Sequence, residues 1–152
     1  MALAFLIGII AGLRSMTAPA AVSWAARLGW LHLENTPLAF LGATVTPYIF
    51  SLLAIGELVA DKLPKTPSRK AALGFGGRIV TGSLSGAAVG AAHGEMMSGL
   101  LAGLLGAIAG TLGGYEMRVR LAKATGGKDL PIALLEDAVA VGGAFLLLAR
   151  FS

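Results

Sequence analysis

The chain of 152 residues contains no cysteine, which excludes disulfide bonds, thiolate metal centres and a cysteine nucleophile. Charged residues are also scarce, at 13% of the chain, whereas a soluble domain usually has about 25%. The two histidines, His32 and His93, are far apart in the sequence, which argues against a histidine-based metal site. We therefore predict a protein without a bound metal or cofactor.

Apolar and small residues dominate the composition. Hydrophobic residues make up 56% of the chain, and the mean hydropathy is +0.80. Most of the 22 glycines fall within apolar runs, where small residues allow helices to pack closely in lipid. The net charge of +4 comes from basic residues between these runs, where such residues determine membrane topology. These features predict an integral membrane protein whose partner is the lipid bilayer, and no nucleic-acid partner.

Five apolar stretches predict an all-α, polytopic bundle of about five transmembrane helices, forming one domain over residues 1–152. The predicted spans are residues 2–30, 38–60, 73–92, 97–117 and 130–151. Arg14 and Pro19 interrupt the first stretch, which we interpret as one broken or kinked crossing. A re-entrant first segment is the main alternative. A cleaved signal peptide is a weaker one, because no basic residue precedes the apolar core.

The connections between the spans differ in charge. Residues 61–72 and 118–129 carry four Lys or Arg each, whereas residues 31–37 and 93–96 carry none. Positive charge concentrates in cytoplasmic loops, so both basic connections are predicted to be cytoplasmic. For five spans this places the amino terminus in the cytoplasm and the carboxyl terminus outside.

The chain also shows a weak internal similarity. Residues 12–20 resemble residues 77–83, with Gly and Arg followed by Thr, and residues 56–58 resemble residues 115–117. This pattern favours two helical hairpins, at about 2–62 and 73–120, followed by a final helix at 130–151. Chance similarity between helices rich in Gly and Ala is the alternative.

Two rows of glycine at four-residue spacing predict close contacts between helices. The rows are Gly82, Gly86, Gly90 and Gly94 in the third span, and Gly106, Gly110 and Gly114 in the fourth. Such rows allow helix backbones to approach each other, within one chain or between subunits. A homodimer is therefore compatible with the sequence.

Charged residues within or near the apolar stretches are the candidate site. They are Arg14, Glu57, Arg78, Glu116, Glu136 and Asp137. Charges in a membrane are costly unless they face protein or water. Counting residues from the cytoplasmic end of each predicted span places all six in the cytoplasmic half of the bundle. Either the charges form ion pairs and reach the interface, or they line a water-accessible pocket that binds an ion or a small polar solute. The adjacent pair Glu136 and Asp137 favours the pocket. Neighbouring side chains on a helix point in different directions, so one basic partner cannot pair with both carboxylates.

Four short motifs resemble an uncharacterised family of bacterial integral membrane proteins, the domain of unknown function DUF4126. The motifs are Gly-Leu-Arg at 12–14 with Pro19, Glu-Leu-Val-Ala-Asp-Lys-Leu-Pro at 57–64, Arg78 before small residues, and Leu-Leu-Glu-Asp-Ala at 134–138. The resemblance implies a protein of the bacterial cytoplasmic (inner) membrane whose charged residues matter. It implies no reaction.

These observations predict a transporter or channel for an ion or small polar solute. The alternative is a membrane scaffold or assembly protein that packs through its glycine faces. A lipid-modifying enzyme is a minor alternative, because adjacent carboxylates can bind Mg²⁺. We predict no catalytic residue, because the sequence shows no nucleophile paired with a base.

Overall fold

A computed structural model describes residues 1–62, 72–127 and 129–152, and these parts are helical with no strand. The α-helices are α1 (Ala2–Leu13), α2 (Thr17–Arg27), α3 (Thr46–Ala60), α4 (Ala72–Ala91), α5 (Met96–Ala124) and α6 (Asp129–Leu148). Short 3₁₀ turns occupy Ala39–Gly42 and Ala149–Phe151. The described residues therefore form the all-α bundle that the sequence predicts.

Helix α1 lies against α4 and α5 and runs in the same direction as α5. Gly8 of α1 packs against Gly103, and Gly12 packs against Thr111, so residue numbers rise together along the two helices. Met1 therefore lies at the end of the bundle where α5 begins. Arg118 and Arg120, near the other end of α5, lie at the opposite end of the bundle.

Helix α2 runs in the opposite direction to α1. Arg14 contacts Asp137 of α6, and Ile10 lies beside Gly143, so α1 is antiparallel to α6. After Arg14 the chain turns back along α6. Trp30, which follows α2, packs edge-on against Phe145 with ring centroids 6.3 Å apart. Helices α1 and α2 therefore form a hairpin that turns at residues 14–16.

The interpretation of residues 2–30 as one crossing is therefore wrong. The two helices have 12 and 11 residues, or about 18 and 16 Å at 1.5 Å per residue. Arg14 ends α1 in an extended conformation (φ −139°, ψ 107°). Pro19 is the third residue of α2, where no intrahelical partner exists for the amide that proline lacks, so it is tolerated without a kink.

The hairpin also changes the predicted position of the amino terminus. Because α1 points towards the turn at residues 14–16, Met1 lies at the opposite end of the bundle from the basic residues near the end of α5. In a bundle that crosses a membrane, Met1 and this basic segment could therefore not both be cytoplasmic, whereas the sequence predicted that both are. An apolar stretch of about 30 residues has the same composition whether it crosses once or doubles back.

Helix α3 is shorter than the predicted second span. It begins at Thr46 instead of residue 38, and Pro47 occupies its first turn instead of its middle. Proline favours that position because its fixed φ suits a helix start and its missing amide has no partner there. Trp24 of α2 fixes α3 in place by an edge-on contact with Tyr48 (5.2 Å) and a hydrogen bond from its Nε1 to Ser51 Oγ (2.9 Å).

Helices α4 and α6 match the predicted spans closely, whereas α5 is longer than predicted. It continues to Ala124, so much of the predicted basic loop from residue 118 is helical. Two described segments, Met96–Ala124 and Leu130–Phe151, are long and apolar enough to cross a membrane by length and composition.

Five glycines of the predicted rows lie between helices of this chain. Gly82, Gly86 and Gly90 of α4 face α5, where Gly99 and Gly103 lie opposite them. Gly106 and Gly110 face α1, with no room for a side chain at either position, whereas Gly94 forms the α4–α5 turn with φ +74°. The glycines therefore bring α1, α4 and α5 into backbone contact.

A pair of alanine substitutions in α5 tests this packing. In Gly103→Ala the new Cβ would meet the carbonyl oxygen of Gly82 far inside contact distance. We expect a loss of about 1–3 kcal/mol of stability, as overpacked cores show. In Gly113→Ala the Cβ meets nothing within 4 Å, so the higher helix propensity of alanine should stabilise by up to about 1 kcal/mol.

Thermal unfolding of both purified variants measures this difference. Equal melting temperatures for Gly103→Ala and Gly113→Ala would mean that the backbone contact at Gly103 has no energetic role.

Candidate functional site

Arg14 lies at the tip of the α1–α2 hairpin and is fully buried. Its Nη1 donates a hydrogen bond to Asp61 Oδ2 at the end of α3, and its Nη2 forms an ion pair with Asp137 Oδ1 of α6. A buried guanidinium needs such compensation, because an unpaired buried charge costs several kcal/mol. Arg14 thus joins three segments that are distant in the sequence.

The carboxylate of Glu57 caps the start of α2. Its two oxygens accept hydrogen bonds from the backbone amides of Ser15 and Met16, both at 2.8 Å. The first amides of a helix have no partner within the helix, and the helix dipole favours a negative charge at this end. Glu57 therefore holds the hairpin turn against α3.

Lys62 adds a second cation. Its Nζ lies 2.8 Å from Asp137 Oδ2 and 3.0 Å from the carbonyl oxygen of Leu58. Its side chain is 30% exposed, whereas that of Asp137 is 13% exposed. Asp137 thus lies between two cations, one buried and one at the surface. We refer to Arg14, Glu57, Asp61, Lys62 and Asp137 as the charge cluster.

The remaining predicted site residues lie in other settings. Glu116 forms a surface pair with Arg120 one turn along α5, at 2.9 Å. Glu136 has a carboxylate oxygen 3.8 Å from Arg118 Nη1. Arg78 is buried within α4 and is 5% exposed. Helix α5 continues beyond residue 117, and Glu116 is exposed near its carboxyl end.

The structure thus brings together Arg14, Glu57 and Asp137 of the predicted set, and adds Asp61 and Lys62. Sequence reasoning placed Asp61 and Lys62 in a loop. A signal for Asp61 was present, because it follows Glu57 by four residues and so shares its face if the helix continues. In the described parts of the chain, no group of three or more His, Asp or Glu side chains is placed to hold a metal ion.

An apolar groove of about 530 Å³ adjoins the charge cluster. Helix α2 forms its floor, and α3 and α6 form its walls. The lining residues are Thr17, Ala20, Ala21, Trp24, Ala25, Leu28, Trp30, Ser51, Ala54, Ile55, Leu58, Val141, Ala144, Phe145 and Leu148. Leu58 and Val141 lie one helical turn from Lys62 and Asp137, so the cluster lies at one end of the groove. The contact between Trp30 and Phe145 lies at the other.

These features define an all-helical protein in which a helical hairpin presents a buried arginine to carboxylates from two other helices. The family model described as Domain of unknown function (DUF4126) matches residues 1–150, and the chain belongs to this family. A search of curated proteins and a search of solved structures found no match. The family resemblance predicted from the sequence is therefore confirmed. Two of its motifs, at 57–64 and 134–138, supply four residues of the charge cluster.

Proposed function

We propose that this is a small multi-pass membrane transporter in which the groove is part of the solute path and the charge cluster is a gate at one end. The observation that carries the proposal is the position of the cluster. Arg14 binds Asp61 of α3 and Asp137 of α6, the two helices that form the groove walls. Ion pairs between opposite walls close that end of the groove.

The surface composition supports a membrane location. Large apolar side chains are exposed on the walls and on α4, for example Leu52 (71%), Leu73 (93%) and Leu146 (70%). Extended apolar surfaces are rare on soluble monomers and are typical of lipid-facing helices. We propose that α3, α4, α5 and α6 cross the bilayer and that the α1–α2 hairpin is re-entrant. With the basic segments cytoplasmic, both chain termini then lie outside a bacterial inner membrane.

The two short helices of the re-entrant hairpin support transport in particular. Many secondary transporters place their sites where short helices end within the membrane, because the free amides of a helix start bind negative groups. Here the start of α2 binds the carboxylate of Glu57, and the buried Arg14 lies next to it. The hairpin tip therefore has the polar chemistry of a transport site.

The charge of Asp137 is central to closing the gate. Its two oxygens contact Arg14 and Lys62, so loss of this one charge would remove both contacts. Apart from the cluster, α3 packs mainly on α2 and on the Ala39–Gly42 turn. Neutralising Asp137 should therefore let α3 move away from α6 without disrupting the α1, α4 and α5 core.

Cysteine accessibility tests the gate, since the chain has no cysteine of its own. Single cysteines at Ala54 and Ala144 in the groove would be labelled with a membrane-impermeant thiol reagent from each side of sealed vesicles. In the Asp137→Asn background we expect labelling from the side of the basic segments to rise at least tenfold. Glu116→Gln is the matched control, because Glu116 lies outside the cluster, and should leave labelling unchanged. Equal labelling in both backgrounds would contradict the proposal.

A non-transporting scaffold is the second candidate, favoured by the complete burial of Arg14 and by its ion pairs with Asp61 and Asp137. A scaffold needs its ion pairs only for stability, so Asp137→Asn should lower the melting temperature without changing labelling from either side. A homodimer stays a prediction, because the glycines that suggested it pack within the chain.

A further inference from the structure

The groove has an elongated, apolar lining that suits an alkyl chain. Of the fifteen described residues that line it, thirteen lack a hydroxyl and none is charged. The wall residues from Ser51 to Leu58 and from Val141 to Leu148 extend for about 10 Å along each helix. Its volume of about 530 Å³ falls in the range of small-molecule sites, roughly 300–1,000 Å³. An ion or a sugar would have no apolar groups to pack against the side chains of this lining.

Lys62 shows which head group suits the cluster end. Its ammonium lies 2.8 Å from Asp137 Oδ2 and 3.0 Å from the carbonyl oxygen of Leu58, a residue that lines the groove. A carboxylate and a backbone carbonyl together form a primary-ammonium site. Lys62 is 30% exposed on a flexible four-carbon stem, so it can leave this site at little cost.

Charge and an unused hydroxyl support a cationic ligand. The charge cluster has three carboxylates and two cations, a formal excess of one negative charge. Thr17 lines the groove near the cluster and is 6% exposed, and its hydroxyl oxygen has no hydrogen-bond partner among the described residues. A buried hydroxyl usually has a partner, so this one marks a position where a ligand's polar end can bind.

We propose that the groove binds a single-chain lipophilic amine. Its alkyl chain lies between α3 and α6, and its ammonium takes the place of Lys62 between Asp137 and the Leu58 carbonyl. This inference rests on the proposed function, for which it names the substrate class. By displacing Lys62, the ligand would remove one of the two contacts that Asp137 makes and so weaken the gate.

Tryptophan fluorescence gives a direct test, because both tryptophans of the chain, Trp24 and Trp30, line the groove. Alkylammonium ions with brominated chains would be titrated into the purified protein, since bromine quenches an indole on contact. We expect saturable quenching that tightens about fourfold per added CH₂ until the groove is full. The alcohol and the carboxylate of the same chain length should bind at least tenfold more weakly.

Three variants and one control separate the parts of the proposal. Asp137→Asn should weaken amine binding at least tenfold, and Lys62→Met should tighten it severalfold by removing the internal competitor. Ala54→Phe should fill the groove and abolish saturable quenching, whereas Leu52→Phe, on the outer face of α3, should not. Lys62→Met also keeps the test decisive if Asp137→Asn does not fold. Tighter binding of the carboxylate than of the amine, or no saturable quenching by any probe, would overturn the proposal.

Failure of this proposal and failure of the transport proposal have different signatures. Saturable amine binding in a protein whose groove cysteines never change accessibility would leave the binding site standing and contradict transport. If Asp137→Asn changes accessibility but the protein does not bind the amine, the result would support the gate and contradict the lipophilic-amine assignment.

Discussion

Replacing Arg14 with methionine should cost about 3–5 kcal/mol of stability, as removal of one partner from a buried ion pair does. Methionine keeps a chain of similar length but leaves Asp61 and Asp137 without the cation between them. Since Arg14 is fully buried, water cannot replace its contacts. We expect a large drop in melting temperature and a low yield of folded protein, measured by thermal unfolding.

Arg120→Met is the matched control. Arg120 forms a surface pair with Glu116 and is 77% exposed, so its loss should cost about 0–1 kcal/mol. Adding Asp137→Asn to Arg14→Met should recover part of the lost stability, because one of the two uncompensated carboxylates is then neutral. A melting temperature for Arg14→Met equal to that of Arg120→Met would contradict the central place given to Arg14.

Glu57→Ala should cost about 2–4 kcal/mol, because two amides at the start of α2 lose a charged acceptor. The amides of Ser15 and Met16 each donate to this carboxylate at 2.8 Å. Without it the hairpin turn should open, and hydrogen exchange at residues 15–17 should accelerate more than exchange in α4 and α5. Glu57→Gln keeps one acceptor oxygen and should show a smaller loss.

Glu95→Ala provides the comparison for Glu57. Glu95 also stands at a helix start, but it is exposed and makes no side-chain capping bond. Its replacement should change stability by less than about 0.5 kcal/mol. Equal losses for the two variants, or exchange that accelerates evenly over the whole chain, would show that Glu57 has no particular role at the turn.

The parts of the fold that follow from local pattern could be predicted from the sequence. Helices α4 and α6 are continuous apolar runs with turn residues at their ends, and their observed bounds differ from the predicted spans by a few residues. The glycine spacing predicted close packing, and the structure places Gly82, Gly86 and Gly90 between α4 and α5. These features depend on residues close together in the sequence.

The hairpin could not be predicted in the same way. Hydropathy reports the length of an apolar stretch, not its direction, and a helix break before Pro19 is compatible with a kink or with a reversal. The reversal depends on contacts distant in the sequence, Gly8 with Gly103 and Arg14 with Asp137. The position of Met1, at the opposite end of the bundle from the basic residues of α5, could not be predicted for the same reason.

The charge cluster was predicted in part. Arg14, Glu57 and Asp137 were identified because they are charged residues within predicted spans, and such residues need partners. Asp61 and Lys62 were missed, because Pro64 and the lysines that follow suggested that a loop begins at residue 61. The predicted span ended at residue 117 whereas α5 continues to Ala124, because a basic segment also suits a helix.

The distance between α3 and α6 at the charge cluster is the most direct test of the proposed gate. Spin labels on cysteines at Val59 of α3 and Val139 of α6, which are 59% and 54% exposed, would report it by pulsed electron resonance. If the gate is correct, the labels should show a single short distance in the otherwise unchanged chain. Asp137→Asn should give a longer distance with a broader distribution, and Glu116→Gln should have no effect. One unchanged distance in a folded Asp137→Asn protein would contradict the claim that the charge cluster holds the two walls of the groove together.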